Sequence, residues 1–423
     1  MLYDIGFAIF SIFYLPTLIF KGKLHGDFLE RFGVYGKEKR EALAVAKDAI
    51  WIQAVSVGEV ALCRSLVPLI KERFPDRTII FSTITKTGND LAKKLFSNDA
   101  IVIYFPLDFS FVVRKIVGLI RPRLYVMIET EIWPNFLKTI ANNKIHAVLI
   151  NGRISDRSFG KYKLAKPFLR GILQNVNVLC MQSKTDAERI ICLGADPAKV
   201  KVTGNMKFDI QIKASQLSNT EIRGQLGLEE GDELLVAGST HDGEEEMITA
   251  IYDKLIKKIP QLKLLIAPRH IERADEITAG IKKHGFEPIR LSNSTPTPNT
   301  QHPTPIYILD TIGRLNDFYS VASIVFIGGS LVKHGGQNPI EPAIYGKPII
   351  FGPYMFNFKN IAAAFVEKKA AIQVSSKKEL ASVIEELLMH SKKRSELGEM
   401  AKQVVIENRG ATHKNLDEIG RFL

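Results

Sequence analysis

Glu59 sits one residue past a glycine, at the end of the apolar run that starts at Ile50: Ser56-Val57-Gly58-Glu59. Gly58 permits a tight turn, and Glu59 then falls at or just inside a helix start. The free N–H groups of a helix start favour an ionised carboxylate. Such a carboxylate at the mouth of a sheet is a candidate general base. Glutamate is also common in a first helical turn simply as a partner of the dipole. A second acidic stretch, Glu129-Thr130-Glu131-Ile132-Trp133-Pro134-Asn135, ends another apolar run. Side chains at alternate positions of a strand point to opposite faces, so one of Glu129 and Glu131 is expected to face a cleft. Lys207, within Gly204-Asn205-Met206-Lys207-Phe208-Asp209, is a candidate charge stabiliser or a solvated linker lysine. Arg269, in Pro268-Arg269-His270, offers a planar fork for phosphate that lysine cannot copy, or is a plain surface arginine.

The stretch Ser323–Gly346 carries a different chemistry. A buried strand, Ile324–Ile327, is ended by Gly328-Gly329, and a loop then carries Gly335-Gly336-Gln337-Asn338. Glycine lets a backbone approach a ligand closely. The helix start that follows adds N–H groups suited to a phosphate. Glu341, between Pro339 and Pro342, has two acceptor oxygens that fit a ribose diol. An ordinary strand–loop–helix turn has the same outline, so the pattern acquires meaning only with its partners.

Those partners are set by alternation. Short β-branched runs at 50–57, 78–84, 100–105, 123–128, 146–150, 176–181 and 200–203 are separated by helix-like segments. After a link at 208–230 the alternation resumes at 233–237, 263–267, 288–291, 306–309, 324–327, 348–351 and 371–374. Strand–helix alternation implies parallel strands covered on both faces. Ligands on such sheets bind beyond the carboxyl ends of the strands, where the candidate residues lie. Asp310-Thr311-Ile312-Gly313 opens a helix at one such end. The proline-rich stretch 292–305 reads as an exposed loop, and 37–47 as a charged linker.

A chain of 423 residues is long enough for two domains. Its 57 basic and 45 acidic residues give a formal charge of +12, which favours an anionic partner. The basic residues form no block interleaved with aromatics, so nucleic acid is not expected. Cys63, Cys180 and Cys192 are far apart and read as reduced core residues. No histidine pair has HExxH-type spacing, so no metal is expected. Residues 1–20 hold a single charge, Asp4, and basic residues follow from Lys21 onward. That order suits a spanning anchor, an interfacial helix or a buried first helix. Either membrane reading puts the rest of the chain on the cytoplasmic side.

Taken together these stretches resemble the 3-deoxy-D-manno-octulosonic acid (Kdo) transferases, which add Kdo to lipid A precursor. The likeness rests on the Glu59, Glu129–Asn135 and Asn151-Gly152-Arg153 stretches, then on Gly204–Asp209, Gly238-Ser239-Thr240-His241, Pro268–His270 and Gly335–Pro342. Gly152 and Gln337 depart mildly from the family's usual alanine and histidine. The resemblance implies a GT-B fold of two Rossmann-like domains facing a central cleft. It implies a membrane-anchor segment at 1–21, an acceptor domain at 22–207 and a CMP-sugar domain at 208–423, whose last helix is able to cross back. Glu59 would be the base, with Glu129 and Lys207 as further catalytic groups. Pro268, Arg269, Thr311, Ile312, Gly313, Gly335, Gly336, Gln337, Asn338 and Glu341 would hold CMP-Kdo. No cofactor or metal is implied, and the location is the cytoplasmic face of the inner membrane. The rival readings are a GT-B enzyme using a UDP-sugar and a membrane-tethered sugar-nucleotide-binding protein without turnover.

Overall fold

Parallel strands buried on both faces need an apolar residue at nearly every position, and the short runs supply it. The computed structural model describes residues 3–9, 11–12, 26–46, 48–210, 215, 217–292 and 306–423. The chain divides into two compact units, Met1–Gln211 with Asn408–Leu423, and Ile212–Glu407.

The first unit holds a seven-stranded parallel sheet in the order β3-β2-β1-β4-β5-β6-β7. Its strands are β1 (Ile50–Gln53), β2 (Ile79–Thr83), β3 (Ala100–Tyr104), β4 (Leu124–Ile128), β5 (His146–Gly152), β6 (Val178–Met181) and β7 (Val200–Val202). β1 shows how both faces are filled. Trp51 enters an aromatic cluster with Phe105, Tyr125 and Phe136, while Ile50 and Ile52 join the opposite core with Val60 and Leu66. The buried indole of Trp51 donates to Ser82 Oγ at 2.8 Å, so its one polar atom is satisfied. β1 stops at Gln53 and not at Val57, because Ser56 caps the helix Val57–Arg73 and draws the chain out of the sheet. The stretch 37–45 is a helix, Lys37–Val45, not a linker; Leu43 is fully buried beneath it.

The order reverses at β1, which lies between β2 and β4. Crossovers leave β1 and β4 on opposite sides, opening a crevice beyond their carboxyl ends. Glu59 follows β1, and Glu129 and Glu131 follow β4.

The helix Ala411–Gly420 belongs to this unit. Alone, ten residues are too short to hold a helix in water. Burial of Leu416 and Ile419 supplies about 1.5–3 kcal/mol each. Asp209 fastens its start, accepting from Gly410 N at 2.6 Å and Thr412 N at 2.5 Å.

Helical residues 3–9 also pack on this unit. Tyr3 stacks on Phe168 at 6.2 Å, and Phe7 meets Phe109 edge-on at 4.9 Å. Asp4, the lone charge of the segment, accepts from Ser110 N and Asn135 Nδ2 and so caps the helix Ser110–Ile120. Among the described residues no helix is long and apolar enough to cross a membrane. Residues 13–21 of the expected anchor lie outside the described residues, as do 293–305 of the loop.

The second unit holds another seven-stranded parallel sheet, in the order β10-β11-β9-β8-β12-β13-β14. The strands are β8 (Glu233–Thr240), β9 (Leu262–Pro268), β10 (Pro288–Arg290), β11 (Ile306–Ile308), β12 (Ile324–Ile327), β13 (Ile349–Phe351) and β14 (Ile372–Gln373). Here the order reverses at β8, between β9 and β12. Gly328 is required at the end of β12: a Cβ there would lie 2.3 Å from the Ser239 carbonyl oxygen, a backbone atom that cannot step aside. Of the three cysteines, Cys63 and Cys180 are buried and Cys192 is exposed, so the third is a surface thiol and not a core residue.

Candidate functional site

In the first unit the candidate acids come together. Glu59 is buried; its carboxylate accepts from Val55 N at 2.7 Å and from Ser56 Oγ at 2.8 Å, while Glu59 N donates back to Ser56 Oγ. This reciprocal cap fixes the side chain and leaves lone pairs for a further donor. Burial pushes the Glu59 carboxyl above the usual value against those hydrogen bonds, with Glu129 adding repulsion. The helix start alone would hold it down; burial outweighs that effect.

Alternation along an extended strand does not govern Glu129 and Glu131. β4 ends at Ile128, and Glu129 adopts a left-handed φ of 59°. A non-glycine residue there is uncommon, and such strain collects at functional sites. The turn puts both acids in one neighbourhood, against the expectation of opposite faces. Burial raises Glu131 to about 8, with Glu59 and Glu129 next in effect. Burial also raises Glu129, opposed by Lys207 and Arg153. Burial and then Arg153 hold Lys207 below its usual value, while Glu129 and Glu59 pull it up. Three carboxylates and two cations therefore share one field.

The loops that carry them are pinned to each other. Thr130 Oγ1 donates to the Arg153 carbonyl at 2.5 Å and accepts from Arg153 N at 3.0 Å. Asn151, left-handed at φ 54°, accepts from Met206 N through Oδ1 at 3.0 Å. Asn205 Oδ1 accepts from Lys207 N, and Asp209 clamps the last helix, so Lys207 rides on a short 3-10 turn held at both ends. It is part of the first unit's fabric, not a linker lysine. Asp108 accepts from Asn135 N and Phe136 N, fixing the helix that follows Glu131.

The second unit gathers most of the remaining candidates around its own reversal point. Glu244, buried at a helix start, accepts from the N–H groups of His241, Gly329, Ser330 and Leu331 at 2.6–3.1 Å. That one carboxylate ties the loop after β8 to the loop after β12. Gly335 and Gly336 are left-handed, and side chains there would strike Asn357 and Met355. Gln337 Nε2 lies 3.5 Å from His241 Nε2. Arg269 N donates to the Thr240 carbonyl, which places Arg269 and Pro268 beside the same loop. Asn338 Nδ2 donates to Glu341 Oε1 at 3.2 Å, and burial raises the Glu341 carboxyl. Thr311, Ile312 and Gly313 form a separate turn after β11. Thr311 Oγ1 is buried with no protein partner among the described residues, Ile312 is 85% exposed, and no hydrogen bond joins them to Glu341 there. Among the described residues no three His, Cys, Asp or Glu side chains are grouped to hold a metal.

Glu131, Arg153, Asn151 and Asp209 are site residues that the sequence reading left without roles. All four stood in quoted motifs. What it lacked was the left-handed turn at Glu129 and the clamp between residue 209 and the last helix.

Residues 26–210 match the family model described as 3-deoxy-D-manno-octulosonic-acid transferase (kdotransferase). The chain is 34% identical over 396 residues to the 3-deoxy-D-manno-octulosonic acid transferase of Haemophilus influenzae, covering 93% of this chain and 91% of that one. It is 30% identical over 426 residues to the enzyme of the same name from Chlamydophila psittaci, covering 100% and 96%. In fold it is similar to the UDP-GlcNAc 2-epimerase of Neisseria meningitidis, with a TM-score of 0.59 at 11% identity over 88% of this chain and 100% of that one. Two Rossmann-like parallel α/β units of the GT-B class, with relatives of this similarity over almost the full length, place the chain in the 3-deoxy-D-manno-octulosonic acid transferase family of glycosyltransferases.

Proposed function

We propose that this Kdo transferase moves Kdo from CMP-Kdo to the lipid A precursor lipid IVA by a single, inverting displacement without a metal. One observation carries the chemistry: Glu59, a buried carboxylate fixed by two hydrogen bonds, shares one electrostatic field with Glu129 and Lys207. Glu59 takes the proton of an acceptor hydroxyl. The hydroxyl oxygen forms a bond to the anomeric carbon as the bond from that carbon to the CMP phosphate oxygen breaks. The electron pair leaves on the phosphate. Glu129 orients the reacting groups, and Lys207 and Arg269 offset charge growing on the leaving group. The backbone of Gly335–Asn338 and of Pro268 lies along the phosphate, Thr311–Gly313 along the base, and Glu341 holds the ribose. The reading requires a donor bound by the second unit to reach the acids of the first. Competition binding separates it from a UDP-sugar enzyme: CMP displaces a fluorescent cytidine nucleotide at lower concentration than UDP does, and the reverse order would sink the proposal.

The acceptor is a lipid, and the first unit carries a fitting surface. Phe111, Leu164 and Phe168 are exposed, as are Ile5 and Ile9 of the first helical residues, whose Tyr3 and Phe7 meet Phe168 and Phe109, with Phe111 stacked on Phe109. Lys161, Lys163 and Lys166 flank them. Apolar rings with lysines beside them suit an anionic bilayer surface, which for this chain is the cytoplasmic face of the inner membrane. Exchanging Phe111 and Phe168 together for serine should lower flotation with anionic phospholipid vesicles about tenfold or more, at 1.5–3 kcal/mol for each buried ring. Equal flotation of both proteins would remove this face from the account.

A further inference from the structure

Three histidines of the second unit stand together at its reversal point, and none has been given a role above. His241, at the end of β8, stacks on His334 with ring centroids 4.2 Å apart and planes 9° from parallel. His270, after β9, meets His241 edge-on at 5.9 Å. The arrangement is built in. A Cβ at Gly329 would lie 2.9 Å from the His241 ring and 3.5 Å from His334 Cβ, and Gly329 has a left-handed φ of 67°. Glycine at 329 therefore serves both the turn and the ring stack.

The charge around the rings is unbalanced. Arg269 makes no ion pair among the described residues. The nearby carboxylates are committed: Glu244 to four backbone N–H groups, Glu245 and Asp242 to Arg273, and Glu272 to His270 at 3.2 Å. Burial, the two other imidazoles, Arg269 and Arg273 together lower His241 to about 4. An anion placed here would meet imidazole N–H donors and the charge of Arg269, with Glu272 held against His270.

A donor of the proposed kind carries two anions on one carbon. The anomeric carbon of an ulosonic acid bears both the phosphate oxygen and a carboxylate, so its carboxylate must lie immediately beside the phosphate. An aldose donor has hydrogen in that place. In the proposed function Arg269 and the Gly335–Asn338 loop serve the phosphate, and the ring cluster adjoins both: His241 Nε2 lies 3.5 Å from Gln337 Nε2, and Arg269 N donates to the carbonyl of Thr240, the residue before His241. We infer that His241, His334 and His270 form the subsite for the donor sugar's carboxylate and select an ulosonic acid over an aldose. This inference rests on the donor proposed above.

The test compares two ligands that differ in that carboxylate. His241→Phe keeps the ring stack and removes both ring nitrogens. The KM for CMP-Kdo should rise about tenfold or more, the loss expected when a hydrogen bond to a charged group is removed. The inhibition constant of CMP, which has the phosphate but no carboxylate, should stay within about twofold. An unchanged KM would overturn the inference. So would a parallel rise in both constants, which would assign the cluster to the phosphate. If His241→Phe does not fold, His334→Phe and His241→Asn carry the same comparison. A wild-type enzyme on which CMP has no effect would instead overturn the proposed donor.

Discussion

Glu59→Gln should lower kcat for Kdo transfer by about 10²–10⁴-fold while leaving the fold and CMP affinity intact. The amide is isosteric. Its oxygen can still accept from Val55 N, and its NH₂ can donate to Ser56 Oγ, so the cap survives in altered form. Burial already disfavours the charge at this position, so loss of the charge costs the fold little. Only proton abstraction is removed. Turnover, differential scanning fluorimetry and CMP titration on one preparation separate these effects. A variant that folds, binds CMP and retains full turnover would take Glu59 out of the role of base.

The second large effect is expected at Lys207. Lys207→Met keeps the length of the side chain and removes its charge. If the ammonium stabilises the departing phosphate, kcat should fall about 10²–10³-fold, as when one electrostatic donor is removed from a transition state. A second consequence distinguishes this from misfolding. Lys207 lowers the proton affinity of Glu129, and its coupling to Glu59 acts in the same direction there. Without the cation, both carboxylates hold their protons to higher pH. A general base works only when deprotonated, so the acid limb of kcat/KM must move upward in Lys207→Met. In the unsubstituted enzyme that limb should already lie above the usual carboxylate range, because burial raises Glu59. A limb that stays fixed or moves down would place Lys207 outside this field.

The sheets were legible in the sequence because most strands are buried on both faces and read as short apolar runs, many of them rich in β-branched residues. All fourteen runs became strands, and the reversal points followed from helices crossing on both sides. Positions of single acids were less legible. The rule that alternate residues face opposite ways holds only while the backbone stays extended, and it fails at Glu129, where φ is 59°. The upward shift of the Glu59 carboxyl was hidden for a related reason. The cap is visible in Ser56-Val57-Gly58-Glu59, but the burial that overrides it comes from elements distant in the chain. Nor could local pattern show that Asp209 grips residues 410 and 412, some two hundred positions away. The three histidines lay in plain view, each at a strand end or glycine loop. Only the sheet order brings the ends of β8, β9 and β12 side by side.

The most direct measurement is the mass of the acceptor after reaction. The protein is incubated with CMP-Kdo and lipid IVA in EDTA, and the lipid is weighed by mass spectrometry. The account predicts lipid that has gained whole Kdo residues, with one CMP released for each. Unaltered lipid IVA, or CMP released with no gain in lipid mass, would contradict it.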